Sequence, residues 1–452
     1  MKNSFLLSII SLPFVAGIQF YINLDIAKNI GVEQFGIFAM LLIIMAMVQS
    51  FSDFGYYNFF LKSHDLSKFD VLTFYGGSSI IISCIFIIIF SFFDYALVSN
   101  ELVFGYIFLL IFLPSGVVFL QSREKLWVVA VVDIISYLIG LWIYLKLSFL
   151  GVESYFVSMV IVLFVKNLFI WGGVLVLKLP DDRRLIARIV DGREYAKWQL
   201  MERGLLFFSL RSDHFLISYF VGGHFYGLYS FSWNFATQVN YKVIPIVTRI
   251  AFIKFSKAES LVESFKVIKA MIFIVSMVSA PIFVVLIFNS SEILKIMGGE
   301  WIDGYFIFSV VALSFYLRLY LDFVNCYFTA SGTPYKSFKW VVFWGGSNFI
   351  FILIGVLFDA LLYMLIVSSL YLFVLTFVVF YHVNLNVFKI VFSSTAMFFG
   401  LSISCNVLLG HLYVVSDLFD FVGYCLIFFF IYMLISITLF RRKLVKSIRS
   451  LG

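Results

Sequence analysis

Four basic side chains stand where a chain this apolar can least accommodate them. Lys166, Arg211, Lys242 and Arg318 each fall inside a long apolar run. An ionisable group in hydrocarbon costs about 2.5–3.5 kcal/mol on insertion scales, so it normally faces a cavity or a partner. All four are cations. Cations at that depth suit a ligand that carries negative charge across a low dielectric, and a guanidinium offers a forked donor pair matched to phosphate oxygens. Carboxylates near the same depth are fewer: Asp133, Asp213 and Asp322. Asp213 with the adjoining His214 is the best-placed pair for proton coupling, because a buried carboxylate or imidazole can titrate near neutral pH. Asp25, close to the end of the first apolar run, suits a cation site. Asp53, in an Asp-Phe-Gly run, suits a helix end or a gate.

Each residue also has a plainer reading. Arg318 and Asp322 are four apart and would form a structural pair on one helix face. Arg211 and Asp213 lie about 200° apart around a helix, so each needs a partner on another helix or water. Lys166 and Lys242 can snorkel towards headgroups. Tyr219, Trp233, Tyr241 and Tyr316 could stack on sugar rings or belong to interfacial belts. The residues do not separate proton from sodium coupling, nor show that coupling occurs.

The elements that position these groups follow from composition. The 452 residues are 63% hydrophobic and 13% charged, with a mean hydropathy of +1.05. Soluble domains are about 45–50% apolar and about 25% charged. This chain lacks the polar surface to cover a water-soluble globule, so it reads as a polytopic membrane protein. Soluble enzymes, nucleic-acid binders and disulfide scaffolds are excluded together. Cys84, Cys326, Cys405 and Cys425 lie in apolar runs and imply neither a disulfide nor a metal site.

The apolar runs are continuous and close to helical spanning length, so the fold is all-α rather than a barrel of alternating strands. Fourteen spans are expected: 4–27, 35–60, 71–93, 102–121, 126–147, 152–177, 200–221, 226–250, 267–289, 304–329, 336–357, 360–381, 388–410 and 418–440. The first is too long for a signal core and lacks a small-residue cleavage site, so it is expected to be retained. With the N-terminus inside, 25 Lys and Arg fall on the cytoplasmic side, three outside and four within spans. That bias predicts an N-in, C-in topology. Pro13, Pro114, Pro245 and Pro281 interrupt spans and could bend them.

Loops are short. The longest external stretch runs about 289–303 and the longest internal one about 178–203, which leaves no large external loop for a glycan polymerase or ligase. No nucleophile arrangement, His metal cluster, phosphate-cradling Gly loop or ATP motif is present, so no cofactor is expected. In the internal stretch Pro180 breaks the preceding helix, and the remainder resembles a basic amphipathic helix lying on anionic headgroups. It divides the chain into a six-helix lobe (1–177), a linker (178–203), a second six-helix lobe (204–385), and two further spans with a basic tail (386–452).

The lobes share a motif. Gly31-Val-Glu-Gln-Phe-Gly-Ile-Phe38 and Gly222-Gly-His-Phe-Tyr-Gly-Leu-Tyr229 both read Gly-x-x-x-[Phe/Tyr]-Gly-[Ile/Leu]-[Phe/Tyr], 191 residues apart, each after the first span of its lobe. An offset of six spans keeps the copies parallel, related by a pseudo-twofold along the membrane normal. Two such bundles facing across a cleft is the architecture of alternating access.

The run LDIAKNIGVEQFGIFAM, then SFSDFGYYNFF, resembles the opening of polysaccharide-exporter flippases of the Wzx type in the MOP superfamily. Ile30 stands where that pattern usually has Leu. RSDHFLISYFVGGHFYGLYSFSWNF (211–235) and GGEWIDGY (298–305) are further matches, so the likeness runs in order over roughly 15–335; beyond it only hydropathy agrees. The resemblance implies that an undecaprenyl-pyrophosphate-linked oligosaccharide is moved from the inner to the outer leaflet of a bacterial cytoplasmic membrane. It implies membrane lipids as partners, with the glycan polymerase and chain-length regulator of the same pathway as candidates. On this reading Arg211, Arg318, Lys166 and Lys242 meet pyrophosphate and glycan, while Asp213, His214, Asp322, Asp53, Asp25 and Asp133 couple or gate. A multidrug or small-solute exporter of the same superfamily is one alternative, and a membrane-embedded polymerase or ligase the other.

Overall fold

The computed structural model describes residues 2–62, 67–90, 99–122, 126–176, 185–237, 255, 260–330, 334–382, 388–410 and 418–451. Every regular element among them is helical. Eleven of these helices are long and apolar enough to cross a membrane. The difference from fourteen expected spans has identifiable sources. Spans 1 and 2 form one helical run, α1 (Lys2–Phe51), broken at Gly31 (φ 76°, ψ 174°), a backbone conformation that only glycine adopts cheaply. Span 7 is the second half of a less apolar helix, α7 (Leu185–Phe220), and span 8 begins as α8 (223–237) and runs on beyond the described residues.

The chain divides into two compact units, Met1–Ile30 with Ile37–Phe208, and Gly31–Gly36 with Ser209–Gly452. In the first, α3 (Lys68–Phe90), α4 (Asn100–Ser122), α5 (Leu126–Leu147) and α6 (Val152–Leu175) pack in the order α3–α4–α6–α5. Lipid tails are as apolar as the helix surfaces, so close packing rather than a hydrophobic drive joins them. Small residues allow it: a Cβ on Gly116 would meet Ile170, and one on Gly140 would meet Val162.

After α1, the Asp53-Phe54-Gly55 turn leads into α2 (Tyr57–Lys62). Phe54 (φ 47°) and Gly55 (φ 81°) both lie in the left-handed region. A Cβ at Gly55 would collide with the carbonyl of Ala196 on α7. Tyr56 Oη donates to Ile189 O at 2.8 Å, and Arg188 Nε lies 3.4 Å from Asp70. The first half of α7 is thus packed along the turn, α2 and the start of α3. Gly55→Ala is expected to destabilise by about 2 kcal/mol, from backbone strain and this collision. Gly77→Ala, mid-helix with nothing within 4 Å, should be neutral or stabilising. Melting temperatures of the purified variants check both, and equal shifts would refute the turn's tight fit.

α7 corrects one expectation. The basic segment is not a separate helix lying on headgroups. It runs without interruption into span 7, 36 residues in all, or about 54 Å at 1.5 Å per residue, well beyond a hydrocarbon layer of about 30 Å. One rod cannot lie flat in its first half and cross in its second.

In the second unit α9 (Leu261–Phe288) is central. It is packed by α12 (Tyr305–Arg318), α16 (Phe388–Gly410) and α17 (Leu418–Leu451). Tyr432 of α17 donates to Met277 O at 2.9 Å, and Tyr320 Oη shares hydrogen bonds with Ser276 of α9 (2.8 Å) and Thr395 of α16 (2.7 Å). α14 (Pro334–Leu357) packs on α15 (Leu361–His382) and on α13 (Leu321–Ala330). Between α9 and α12 lie the short α10 (Ser290–Met297) and α11 (Gly299–Ile302), whose Trp301 stacks edge-on to Phe35 and packs against Phe231.

The repeated motif explains itself here. A Cβ on Gly36 would stand 3.0 Å from Gly223 O, and one on Gly227 would collide with Val32 O. With an offset of 191 residues Gly227 is the counterpart of Gly36 and Val32 that of Gly223. The contact is therefore isologous, each copy using the same positions against the other. Glycine is required at both sites because two backbones touch.

Candidate functional site

α7 carries Arg211, Asp213 and His214 into the second unit, and α8 faces them with Tyr226, Tyr229 and Trp233. Asp213 accepts from Tyr229 Oη at 2.5 Å through Oδ2, and from the His214 backbone N–H at 2.9 Å through Oδ1. His214 Nδ1 lies 3.3 Å from Tyr226 Oη, and its ring stands edge-on to Tyr226, Tyr229 and Trp233. Its Nε2 is buried without a partner. The Arg211 guanidinium lies over the Trp233 ring, 3.9 Å from the centroid, an arrangement worth about 2 kcal/mol when desolvated. Arg211 and Asp213 thus find separate partners on α8, as their angular separation requires.

Arg318 ends α12. Its Nε donates to Ser369 (3.1 Å), and its NH2 group donates to Ser368 (2.9 Å) and to Asn348 Oδ1 (2.9 Å). α14 and α15 therefore hold one edge of the guanidinium with neutral acceptors. Among the described residues neither Arg211 nor Arg318 forms an ion pair.

The plainer reading of Arg318 and Asp322 as an ion pair is not what the described residues show, since Arg318 bonds to Ser369, Ser368 and Asn348 instead. Span 10 is interrupted at Leu319–Tyr320, where backbone bonds shorten to the three-residue pattern (Leu319 N to Tyr316 O, Phe323 N to Tyr320 O). Leu319 keeps right-handed helical dihedrals (φ −49°, ψ −31°), so the tightening does not by itself separate the two faces. Arg318 closes the C-terminus of α12 and Asp322 opens the first turn of α13. Each sits where its charge complements a helix dipole.

Other expected site residues lie in the first unit. Lys166 Nζ is 2.8 Å from Asp133 Oδ1 and 4.3 Å from the Tyr137 ring centroid, so its charge is already neutralised. Gln19 donates to Tyr137 Oη. Asp25 accepts from Tyr144 Oη at 2.7 Å and from Asn29 at 3.3 Å. Asp53 is buried, accepts from Arg203 at 2.6 Å through both oxygens, and caps the backbone N–H groups of Gly55 and Tyr57. Lys242 and Tyr241 lie outside the described residues. Sequence reading missed Arg203, Asn348, Ser368 and Ser369. The last three are polar interruptions of apolar spans, a signal that was present. Among the described residues no three His, Cys, Asp or Glu side chains gather as a metal site would need.

The described residues form a polytopic helical bundle whose fold is shared with solved structures. Over nearly its whole length the chain resembles the lipid II flippase MurJ in its inward closed conformation (TM-score 0.59, 14% identity, 98% of each chain covered). It also resembles an outward-facing multidrug resistance MATE family transporter of the MOP superfamily (0.57, 13%, 86% of this chain and 96% of that one). A third likeness is to a MOP superfamily transporter from Pyrococcus furiosus, described as having a binding pocket of reverse polarity (0.57, 12%, 86% and 96%). No curated protein sequence matches. The profile of the polysaccharide biosynthesis protein family matches residues 26–304, and the chain belongs to that family.

Proposed function

We propose that the protein is a flippase. It moves a polyprenyl-pyrophosphate-linked oligosaccharide, an O-antigen or related repeat unit on undecaprenyl pyrophosphate, from the cytoplasmic to the outer leaflet of a bacterial cytoplasmic membrane by alternating access. One observation supports the reading: inside an apolar span Arg318 is held by three neutral acceptors, Ser369, Ser368 and Asn348, and among the described residues it forms no ion pair. A charge so costly to bury is retained for a ligand that supplies the anion. Pyrophosphate supplies it, and Arg211, set over Trp233, adds a second cation. Membership of a polysaccharide biosynthesis family and likeness to a lipid II flippase support the same substrate class. Asp213 and His214 are the coupling candidates. Lys166, paired with Asp133, contributes through that pair rather than as a free cation. A drug exporter would favour an anionic site for cationic drugs, and the arginines weigh against it.

The test is the sidedness of the lipid-linked oligosaccharide in right-side-out vesicles depleted of the protein, read with a membrane-impermeant probe. Complete repeat units should accumulate where the probe cannot reach them. Accessible but unpolymerised units would move the protein to the enzyme class, and normal polymer would point to another solute.

A further inference from the structure

α14 places Ser337, Trp340, Trp344 and Asn348 at spacings of three and four, so they form one stripe along the helix. Both ends of the stripe are tied to the same neighbouring pair of helices. Ser337 Oγ donates to Asn325 Oδ1 of α13 at 3.3 Å, and Asn348 accepts from Arg318 of α12 at 2.9 Å. Trp340 and Trp344 lie between the two ties. Each is about 95% buried, 5% and 4% exposed respectively, and neither indole N–H has an acceptor. Indole nitrogen only donates, and an unmade buried hydrogen bond costs about 1–3 kcal/mol. Two such donors one turn apart, on the stripe whose end binds the Arg318 guanidinium, form a surface built for oxygen acceptors. One turn before Asn325 on α13 stands Asp322, an exposed carboxylate on the helix face that carries the tie to Ser337.

We propose that this stripe is a sugar subsite adjoining the phosphate site. Arg318 takes the phosphate, the Trp340 and Trp344 N–H groups donate to ring or acyl oxygens of the first sugar residue, and Asp322 accepts from one of its hydroxyls. A second phosphate does not fit the same groups, because Asp322 would repel it. A sugar, which both donates and accepts and offers an apolar face to indole rings, satisfies all three. In this conformation the N–H groups are shut from solvent, so the subsite is closed and must open to admit the ring.

The inference rests on the flippase reading and adds recognition of the sugar beside the phosphate. The full-length protein in lipid nanodiscs is titrated with two probes, undecaprenyl pyrophosphate and the same lipid bearing a single N-acetylhexosamine. The Trp340→Phe/Trp344→Phe variant keeps both rings and loses both donors. Its affinity for the sugar-bearing probe is expected to fall about tenfold while affinity for the bare pyrophosphate stays within about twofold. Unchanged affinity for the sugar-bearing probe overturns the subsite. An equal loss on both probes also overturns it, since the indoles would then only support Arg318. The single Phe variants are read in the same way if the double variant does not fold, with Trp127→Phe at an exposed position as control. Arg318→Lys should weaken both probes; if it weakens neither, the phosphate reading fails whatever the tryptophans do.

Discussion

Arg318→Ala is expected to lower transport of the lipid-linked substrate by roughly a hundredfold, with the protein present at close to normal abundance. Truncating one partner of a desolvated charge interaction costs about 2–5 kcal/mol, and about 3 kcal/mol is roughly a hundredfold in binding. Abundance holds because the residues around Arg318 do not depend on it. Ser368 and Ser369 already donate to Leu365 O, at 3.1 and 2.7 Å. Only Asn348 Oδ1 loses its partner. Removing an unpaired cation from hydrocarbon depth also recovers part of its insertion cost. Arg318→Lys separates charge from shape: an ammonium keeps the charge but cannot meet three acceptors while presenting a forked edge, so it should restore part of the activity and leave the rest missing. Surface glycan in a complemented deletion strain, measured beside membrane protein levels, decides. Wild-type glycan in Arg318→Ala at normal abundance would remove this residue from the site. Loss of glycan together with loss of protein would make it structural.

Much of this was legible in the sequence because the membrane narrows the options. Apolar runs of spanning length have to be helices, and an ionisable residue inside one is either paired or functional. The motif around Gly31 and its counterpart at Gly222 were visible as a repeat. What the sequence withheld was that the two copies touch, since a backbone contact leaves no mark beyond a glycine. Periodicity also misled in two places. Spacing by four offered Arg318 and Asp322 as a pair, but Arg318 bonds instead to Ser369, Ser368 and Asn348 on other helices. Proline and basic charge suggested a flat surface helix where α7 is a single rod. The rest concerns partners distant in sequence. Arg203 stands 150 residues from Asp53, and Asn348 and Ser369 stand 30 and 51 residues from Arg318. No local spacing rule connects them.

Asp53 and Arg203 yield the largest expected effect on stability, and the asymmetry between them identifies the interaction. Asp53 is buried and receives four hydrogen bonds: two at 2.6 Å from Arg203, and one each from the backbone N–H groups of Gly55 (3.0 Å) and Tyr57 (3.3 Å). The Arg203 side chain keeps 28% of its surface against 6% for Asp53, so it regains hydration more readily when its partner is lost. Breaking a buried pair costs about 3–5 kcal/mol, reduced where one partner reaches solvent. Arg203→Ala should therefore cost about 2 kcal/mol and leave the turn capped. Asp53→Ala should cost about 4 kcal/mol, because two backbone N–H groups in a turn with left-handed residues lose their acceptor as well. Asp53→Asn should fall between, since an amide oxygen still caps one N–H group. Because both substitutions remove the same contact, the Asp53→Ala/Arg203→Ala double variant should cost little more than Asp53→Ala alone. Melting temperatures of the four purified variants close the cycle. Strict additivity would mean that the two residues act independently. Coupling would show that the Asp-Phe-Gly turn exists to lock the first half of α7, the helix whose second half carries Arg211, Asp213 and His214 into the site.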